Sequence, residues 1–241
     1  MLIKLYEQVK SPSITIVTVT YNANNSIQEC VNSVIVQKSP NIQHIIIDGA
    51  STDGTVDILK EQYHKGNIVF FLSEPDTGIF NAMNKALKYA KGDFIYFLGA
   101  DDFLYPEFSE FVSKAKDTDT IYYGQCLWGD MVLGGEFTPK RLTRECICHH
   151  SILYPKKVFE KYTYNEKYKI GADHLLNIKC WNDKSFKKEY HPILIANFGK
   201  GGASEVQCDL AFEKDFTKNV LKHSSLSTSL SYLWRKLRNK N

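Results

Sequence analysis

Ser73-Glu-Pro-Asp-Thr-Gly-Ile-Phe-Asn-Ala-Met-Asn-Lys-Ala-Leu87, followed shortly by Gly92-Asp-Phe-Ile-Tyr-Phe-Leu-Gly-Ala-Asp-Asp102, decides the fold. The first part is a polar loop entering a helix, with Phe80, Met83 and Leu87 at helical spacing. The second is an apolar strand, Phe94 to Leu98, that stops at two adjacent carboxylates, Asp101 and Asp102. Two carboxylates at the mouth of a buried strand repel each other and resist desolvation, so they call for a cation or a hydrogen-bond network. In an open α/β sheet, ligands sit beyond the carboxyl ends of the strands, where this pair falls. The expectation is a metal-and-phosphate site; the competing reading is a solvated turn before Pro106.

The same unit precedes this stretch. Ile14-Thr-Ile-Val-Thr-Val-Thr20 is a β-branched strand, and Tyr21 to Asn25 breaks it. Ser26 and Glu29 carry the capping-box pattern, and Ile27, Cys30, Val31, Val34 and Ile35 follow at helical spacing. Gln43 to Asp48 is a second strand, with Val56, Leu59 and Tyr63 on the helix after it, and Ile68 to Leu72 is a third. Strands alternating with amphipathic helices imply right-handed crossovers and a mostly parallel sheet.

After Pro106 the rhythm changes. The spacing predicts a helix from Glu107 to Lys114, a strand from Ile121 to Gly124 and a hairpin from Gln125 to Phe137 turning at Gly129-Asp130. It then predicts an extended His149 to Tyr154, helices at Lys156 to Lys161 and Ala172 to Trp181, and a strand from Pro192 to Phe198. A glycine-rich stretch, Gly199 to Ser204, leads to a later helix bearing Val206, Leu210 and Val220. The fold class expected is α/β, with a Rossmann-like, mostly parallel central sheet, flanking helices and an elaborated C-terminal half. One domain would span residues 1–224, with a nucleotide-type half at 13–105 and a second half at 106–204, leaving a basic amphipathic tail at 225–241.

The chain has 241 residues, 43% of them hydrophobic and 24% charged, the profile of an ordinary globular protein. Its net charge of +3 is too small and scattered for a nucleic-acid groove. Six cysteines show neither zinc-finger spacing nor a disulfide framework, which suits free thiols in a reducing cytosol. Met1 to Lys10 lacks a signal-peptide core, and no stretch has the length of a membrane span. A cytoplasmic location follows as the expectation.

Thr20, Tyr21 and Asn22 place a hydroxyl, an aromatic face and an amide at the crevice, and Asp48 places an acceptor beside them. That set suits a nucleobase stacked on Tyr21 and donating to Asp48; equally, Tyr21 could be packing and Asp48 a helix cap. The loop Asp48 to Thr55 enters a helix, where anions are favoured, but it matches neither Gly-x-Gly-x-x-Gly nor the P-loop. Asp101 and Asp102 are oxygen ligands suited to Mg2+ or Mn2+ carrying a diphosphate. Asp173 opens an apolar helix and is either a general base folded over the crevice or an N-cap. His149 and His150 are candidates to line the same pocket. No serine in a strand-turn-helix elbow supports a hydrolytic dyad. The tail sets Leu230, Leu233, Trp234 and Leu237 beside Arg235, Lys236, Arg238 and Lys240, the pattern either of a helix on the anionic inner face of a membrane or of a solvated terminal helix.

Together these motifs resemble the GT-A glycosyltransferases of family 2, a group that builds bacterial surface polysaccharides. The matching pieces are Val19 to Asn22, Ile47 to Thr55, Ser73 to Ile79 with Ala82 to Lys85, Gly92-Asp with Phe97 to Asp102, Cys148-His149, Ala172-Asp173 and Gly201 to Ser204. The resemblance implies an inverting transferase with a nucleotide-sugar donor, commonly a UDP-sugar, and a glycan or lipid-linked acceptor. Tyr21 and Asp48 would hold the base, and Asp76 and Asn84 would line the donor pocket. Asp101 would bind the divalent metal with help from Asp102, Asp173 would deprotonate the acceptor hydroxyl, and His149 would touch the acceptor or the diphosphate. The chain departs from the family pattern at Gly99, the first position of Asp-x-Asp, at Asn81, where Asp is frequent, and at His150, where Gln is frequent. A noncatalytic nucleotide-sugar-binding scaffold on the same fold is the alternative. A nucleotidyltransferase would want a glycine- and lysine-rich loop that Thr20 to Ser26 lacks.

Overall fold

The structure, a computed structural model, describes residues 13–39, 41–199 and 208–238. The strand β1 (Ile14–Thr20) is buried along its whole length. A strand covered on both faces reads as a near-continuous apolar run, and β-branched side chains fill it well. It lies between β2 (Ile42–Asp48) and β4 (Phe94–Gly99), parallel to both, and β3 (Phe70–Ser73) extends the sheet beyond β2. The register sets Thr20 against Asp48 and Val19 against Gly99, so the carboxyl ends of the three central strands reach one edge together. The chain winds outward through β2 and β3 and then returns to the other side of β1, which makes this edge a topological switch point.

Helices α1 (Ile27–Ile35), α2 (Thr55–His64) and α3 (Ile79–Leu87) form the crossovers. The apolar spacing read from the sequence marks the buried side of α1 through Ile27, Cys30, Val31 and Val34, though Ile35 is exposed, and that of α3 through Phe80 and Met83, joined by Ala82 and Ala86. In α2 only Leu59 of the residues read is buried, Val56 being half-buried and Tyr63 exposed. The capping box expected of Ser26 and Glu29 does not form; the Ser26 hydroxyl turns back toward the Ala23 carbonyl.

The second half follows a different rule. β5 (Phe103–Leu104), α4 (Phe108–Lys114), β6 (Thr120–Trp128), β7 (Met131–Leu133), β8 (Ile152–Pro155) and α5 (Lys157–Lys161) come first. After them come α6 (Ala172–Asn182), β9 (Lys187–Phe198), α7 (Leu210–His223) and α8 (Leu226–Arg238). The sheet continues from β4 through β8, β6 and β9 to β5, with β7 beside β6. β8 runs antiparallel to β4 and β6, and β5 antiparallel to β9. The parallel arrangement expected from the alternation therefore holds for β1 to β4, while the whole sheet is mixed. Tight turns such as the one at Gly129 between β6 and β7 can only join antiparallel strands.

Two local expectations change. His149 and His150 lie on a 3-10 turn, His149–Ser151, and only from Ile152 is the chain extended. β9 starts before Pro192, which sits where the pairing with β6 slips between Tyr190 and Leu194; an irregularity of this kind tolerates the missing amide hydrogen.

One apolar cluster joins Val17 and Ile45 of the first half to Tyr154, Leu176 and Trp181 of the second and to Tyr232 of α8. The helix read as a tail is thus packed into the main core. Most of the glycine-rich stretch 199–204, with Val206, Lys240 and the N-terminal residues 1–10, lies outside the described residues. Among the described residues, no helix is long and apolar enough to cross a membrane.

Candidate active site

A cavity of about 720 Å³ opens at the carboxyl edge of β1 and β4. Thr20, Tyr21, Asn22, Asp101, Asp102, His149, His150 and Asp173 all line it, brought together from stretches far apart in the chain. Asp48, Asp76 and Asn84 are not among the residues that line it.

At the end of β1 Tyr21 is 67% exposed, so it is not a packing residue. Asn22 is left-handed, with φ 50°, which lets its side-chain oxygen accept from the Thr52 amide at 3.0 Å while its own amide donates to Ser51 Oγ at 2.8 Å. Asp48 is fully buried, and its oxygens accept from the Ser51 amide (2.9 Å), the Ser51 hydroxyl (2.5 Å) and the Ser73 hydroxyl (2.6 Å). In this arrangement it holds the turn after β2 against the end of β3. Asp76 is better placed to meet a ligand beside Tyr21. A Cβ on Gly49 would lie 2.7 Å from Asp76 Oδ2 and 3.3 Å from Tyr21 Cδ2, so Gly49 is the floor between them. The other oxygen of Asp76 accepts the Gly78 amide at 2.8 Å. Thr20 Oγ1 is buried at the same edge without a hydrogen-bond partner, a group that needs a ligand or water.

Asn84 does not reach the cavity. Its amide donates to the Tyr164 carbonyl (3.0 Å) and Glu166 Oε1 (2.8 Å), and its oxygen accepts the Tyr164 amide (3.1 Å). Asn81 donates to Glu166 Oε2 at 2.9 Å. These hydrogen bonds from Asn84 and Asn81 hold the Glu166 carboxyl below its usual range. An aspartate at position 81 would face Glu166 with like charge, which accounts for the amide there.

Asp101 and Asp102 have different surroundings. Asp102 is buried; Oδ2 lies 2.5 Å from His150 Nε2 and accepts the Gly99 amide at 3.1 Å, while Oδ1 accepts the Gly199 amide at 2.7 Å. The imidazole approaches off its N–H axis, making the contact an ion pair rather than a linear hydrogen bond. Burial disfavours charge on both partners, but each charge outweighs it for the other. His150 is pushed up to about 10, and Asp102 is held below the usual carboxylate range. Gly99 follows from the same packing: a Cβ there would sit 2.3 Å from Asp102 Oδ2, so the Asp102 carboxylate fills the space that a side chain at position 99 would use.

Asp101 faces the cavity, and no side chain among the described residues donates to its carboxylate. Burial, and then the charge of Asp102, raise its pKa. A carboxylate in that state is a fitting ligand for a hard cation. Among the described residues no three side chains converge on a metal position, so such an ion would take most of its ligands from phosphate and water, as Mg2+ does.

Asp173 sits in the first turn of α6, where Gly171 is the cap, so the N-cap reading does not apply. Its Oδ1 accepts the His174 amide at 2.6 Å, and its Oδ2 lies 3.5 Å from His149 Nδ1 and 3.9 Å from Cys146 Sγ. His149 is lowered by burial and by the adjacent His150, against the pull of Asp173. The rings of His149 and His150 are 3.8 Å apart, and His150 stacks on Phe198 at 4.8 Å. A neutral imidazole therefore stands by Asp173 and a charged one by Asp102.

Three contributors carried no motif. Glu166 clamps the segment before α6 to α3. Lys169 lines the cavity and donates to the Thr77 carbonyl at 2.7 Å. Asp209 caps α7 through the Phe212 amide (3.0 Å) and holds the Ile170 and Gly171 amides (2.9 and 3.1 Å), fixing the entry to α6. Only Asp209 had a readable signal, as an aspartate just ahead of a helix.

The family model described as Glycosyl transferase family 2 matches residues 15–179, more than half of the chain. The chain belongs to this family. It is 29% identical over 236 residues to the "PGL/p-HBAD biosynthesis glycosyltransferase" of Mycobacterium bovis, covering 91% of this chain and 87% of that one. Its fold is similar to that of S. aureus TarS 1-349 solved in complex with UDP-GlcNAc, with a TM-score of 0.73 and 16% identity over 91% of this chain and 69% of that one. It spans 38% of the longer TarS chain. The mannosyltransferase PcManGT from Pyrobaculum calidifontis, in complex with GDP-Man and Mn2+, matches with a TM-score of 0.63 and 17% identity over 88% of this chain and 63% of that one. At those identities the solved structures show the fold, which is GT-A. The family and the naming of its relatives make this chain a glycosyltransferase.

Proposed function

We propose that this glycosyltransferase moves a sugar, with inversion, from a UDP-sugar to a hydroxyl of a glycan or lipid-linked acceptor in the synthesis of a bacterial surface polysaccharide. The observation that carries the reading is the convergence of Asp173, from α6, on the cavity into which β1 and β4 deliver Tyr21 and Asp101. The complex of TarS with UDP-GlcNAc and the naming of the mycobacterial relative support the donor and the biosynthetic setting.

The base stacks on the open face of Tyr21 and donates to Asp76 Oδ2, while Asp48 keeps the surrounding loop in place. Thr20 Oγ1 and the Asn22 backbone border the donor next to it. The diphosphate extends toward Asp101. A divalent cation held there would offset the charge that builds on the leaving diphosphate. Asp102, locked by His150 and two backbone amides, positions the Asp101 turn rather than reaching the ligand.

Asp173 Oδ2 takes the proton of the acceptor hydroxyl. As that O–H bond breaks, the oxygen attacks the anomeric carbon on the face opposite the diphosphate, and the bond from that carbon to the phosphate oxygen breaks with its electron pair leaving on the diphosphate. The sugar is delivered with inverted configuration. Neutral His149, beside Asp173, borders the acceptor oxygen.

A thermal-shift panel of UDP, GDP, CDP and dTDP, each with Mn2+ and with EDTA, tests the donor assignment, because a ligand of the folded state raises the melting point by mass action. The reading expects a UDP shift that needs metal and disappears in Asp101→Ala. A shift for none of the nucleotides from folded protein would contradict it.

A further inference from the structure

α8 has two faces with different fates. On the inner one Tyr232 is buried in the main core and its hydroxyl meets Thr217 Oγ1 of α7 at 2.9 Å. Arg235 donates to the Thr143 carbonyl (2.5 Å) and hydroxyl (3.2 Å), and Thr228 and Ser229 are buried. These contacts fix the rotation of the helix. The outer face is then necessarily the stripe Leu226, Leu230, Trp234 and Leu237, exposed by 76%, 57%, 62% and 69%. Large apolar side chains gathered in one exposed stripe mark an interaction surface.

Charge decides what that surface meets. After Asp215 the sequence contains no acidic residue, and it contains Lys218, Lys222, Arg235, Lys236, Arg238 and Lys240, the last outside the described residues. Arg238 places its guanidinium 4.6 Å from the centre of the Trp234 ring, on the border of the stripe, while Lys236 on the other side donates to Thr217 Oγ1 of α7 at 2.7 Å. A second copy of this chain would bring the same basic face against itself. We propose that the outer face of α8 is a docking surface for an anionic phospholipid bilayer. Leu226, Leu230 and Leu237 enter the boundary between headgroups and acyl chains, Trp234 sits at that boundary, and Arg238 beside it meets lipid phosphate.

The docking stands apart from the reaction, but its consequence rests on the sugar-transfer reading. Arg235 ties α8 to Thr143, three residues before Cys146, where the wall bearing His149 and His150 begins. A bilayer against α8 would hold the acceptor side of the cavity near the lipid surface, which suits an acceptor hydroxyl on a lipid-linked glycan.

Flotation of the full chain with vesicles tests the proposal, comparing phosphatidylcholine alone with phosphatidylcholine containing phosphatidylglycerol, in low and raised salt. The expected result is binding to the anionic vesicles that weakens with salt. Leu230→Ser/Trp234→Ser/Leu237→Ser should lower partitioning by about a hundredfold while circular dichroism, melting temperature and donor hydrolysis in solution stay unchanged. If the triple variant fails to fold, Trp234→Phe decides: the vesicle-induced blue shift of wild-type fluorescence should vanish. Absence of wild-type binding to anionic vesicles, undiminished binding by the folded triple variant, or a dimer that the triple variant dissolves without any lipid binding would each overturn the proposal. Lost docking with intact donor hydrolysis would leave the proposed chemistry standing, whereas intact docking without any donor turnover would count against the chemistry alone.

Discussion

Asp102 and His150 meet at 2.5 Å with both side chains out of water. Removing one partner leaves the other charge buried and unpaired, which costs about 3–5 kcal/mol. Asp102→Asn should therefore lower the unfolding free energy in a urea titration by that order, and an unchanged midpoint would show that the two groups do not form an ion pair. Gly99→Ala acts on the same pair, since its Cβ would fall 2.3 Å from Asp102 Oδ2. We expect a loss of about 1–3 kcal/mol as the carboxylate is pushed from His150, read in the same titration. The two adjacent acids were legible in the sequence as a site. Their division of labour was not, because the partner that separates them, His150, lies 48 positions away and reaches Asp102 only through the fold.

At the scale of elements, the segment between α5 and α6 is pinned to α3 by Glu166 through Asn81 and Asn84. Glu166→Ala breaks two hydrogen bonds at a half-buried carboxylate, for a loss of about 1–2 kcal/mol, and should speed limited proteolysis between residues 162 and 171. Cleavage at the wild-type rate would mean that the segment is held by other contacts. The first four strands were readable because each buried strand and each amphipathic helix announces itself within a few residues. The 3-10 turn at His149–Ser151 and the antiparallel placing of β8 were not, since both depend on the pairing of β8 with β4 and β6. Leu230, Trp234 and Leu237 of the α8 stripe were visible in the sequence, but Leu233, read with them, packs against the core, and nothing local said that Arg235 faces inward to Thr143 while Trp234 faces out.

For the molecule as a whole, one buried histidine outside the cavity lining contributes to acid sensitivity. His44 is buried in β2, its Nε2 2.9 Å from Thr18 Oγ1, and burial lowers it to about 3. Below its unfolded value of about 6.5 the unfolded chain binds a proton that the folded chain refuses. Stability should accordingly fall as pH drops from about 6.5 toward 3, at close to 1.4 kcal/mol per pH unit from this group. His44→Gln should flatten that limb in urea titrations at stepped pH; an identical slope in the variant would assign the acid sensitivity elsewhere. The proposed chemistry lies at the carboxyl edge of β1 and β4, where Asp173 would serve as base toward the acceptor hydroxyl and the donor would be held through Tyr21, Asp76 and Asp101. Release of UDP from a UDP-sugar with Mn2+ tests it most directly, measured for wild type and Asp173→Asn alongside UDP binding to each. Asp173→Asn should bind UDP as tightly as wild type while turnover drops by about 10²–10⁴-fold. Turnover within a few-fold of wild type, with binding equal, would contradict it.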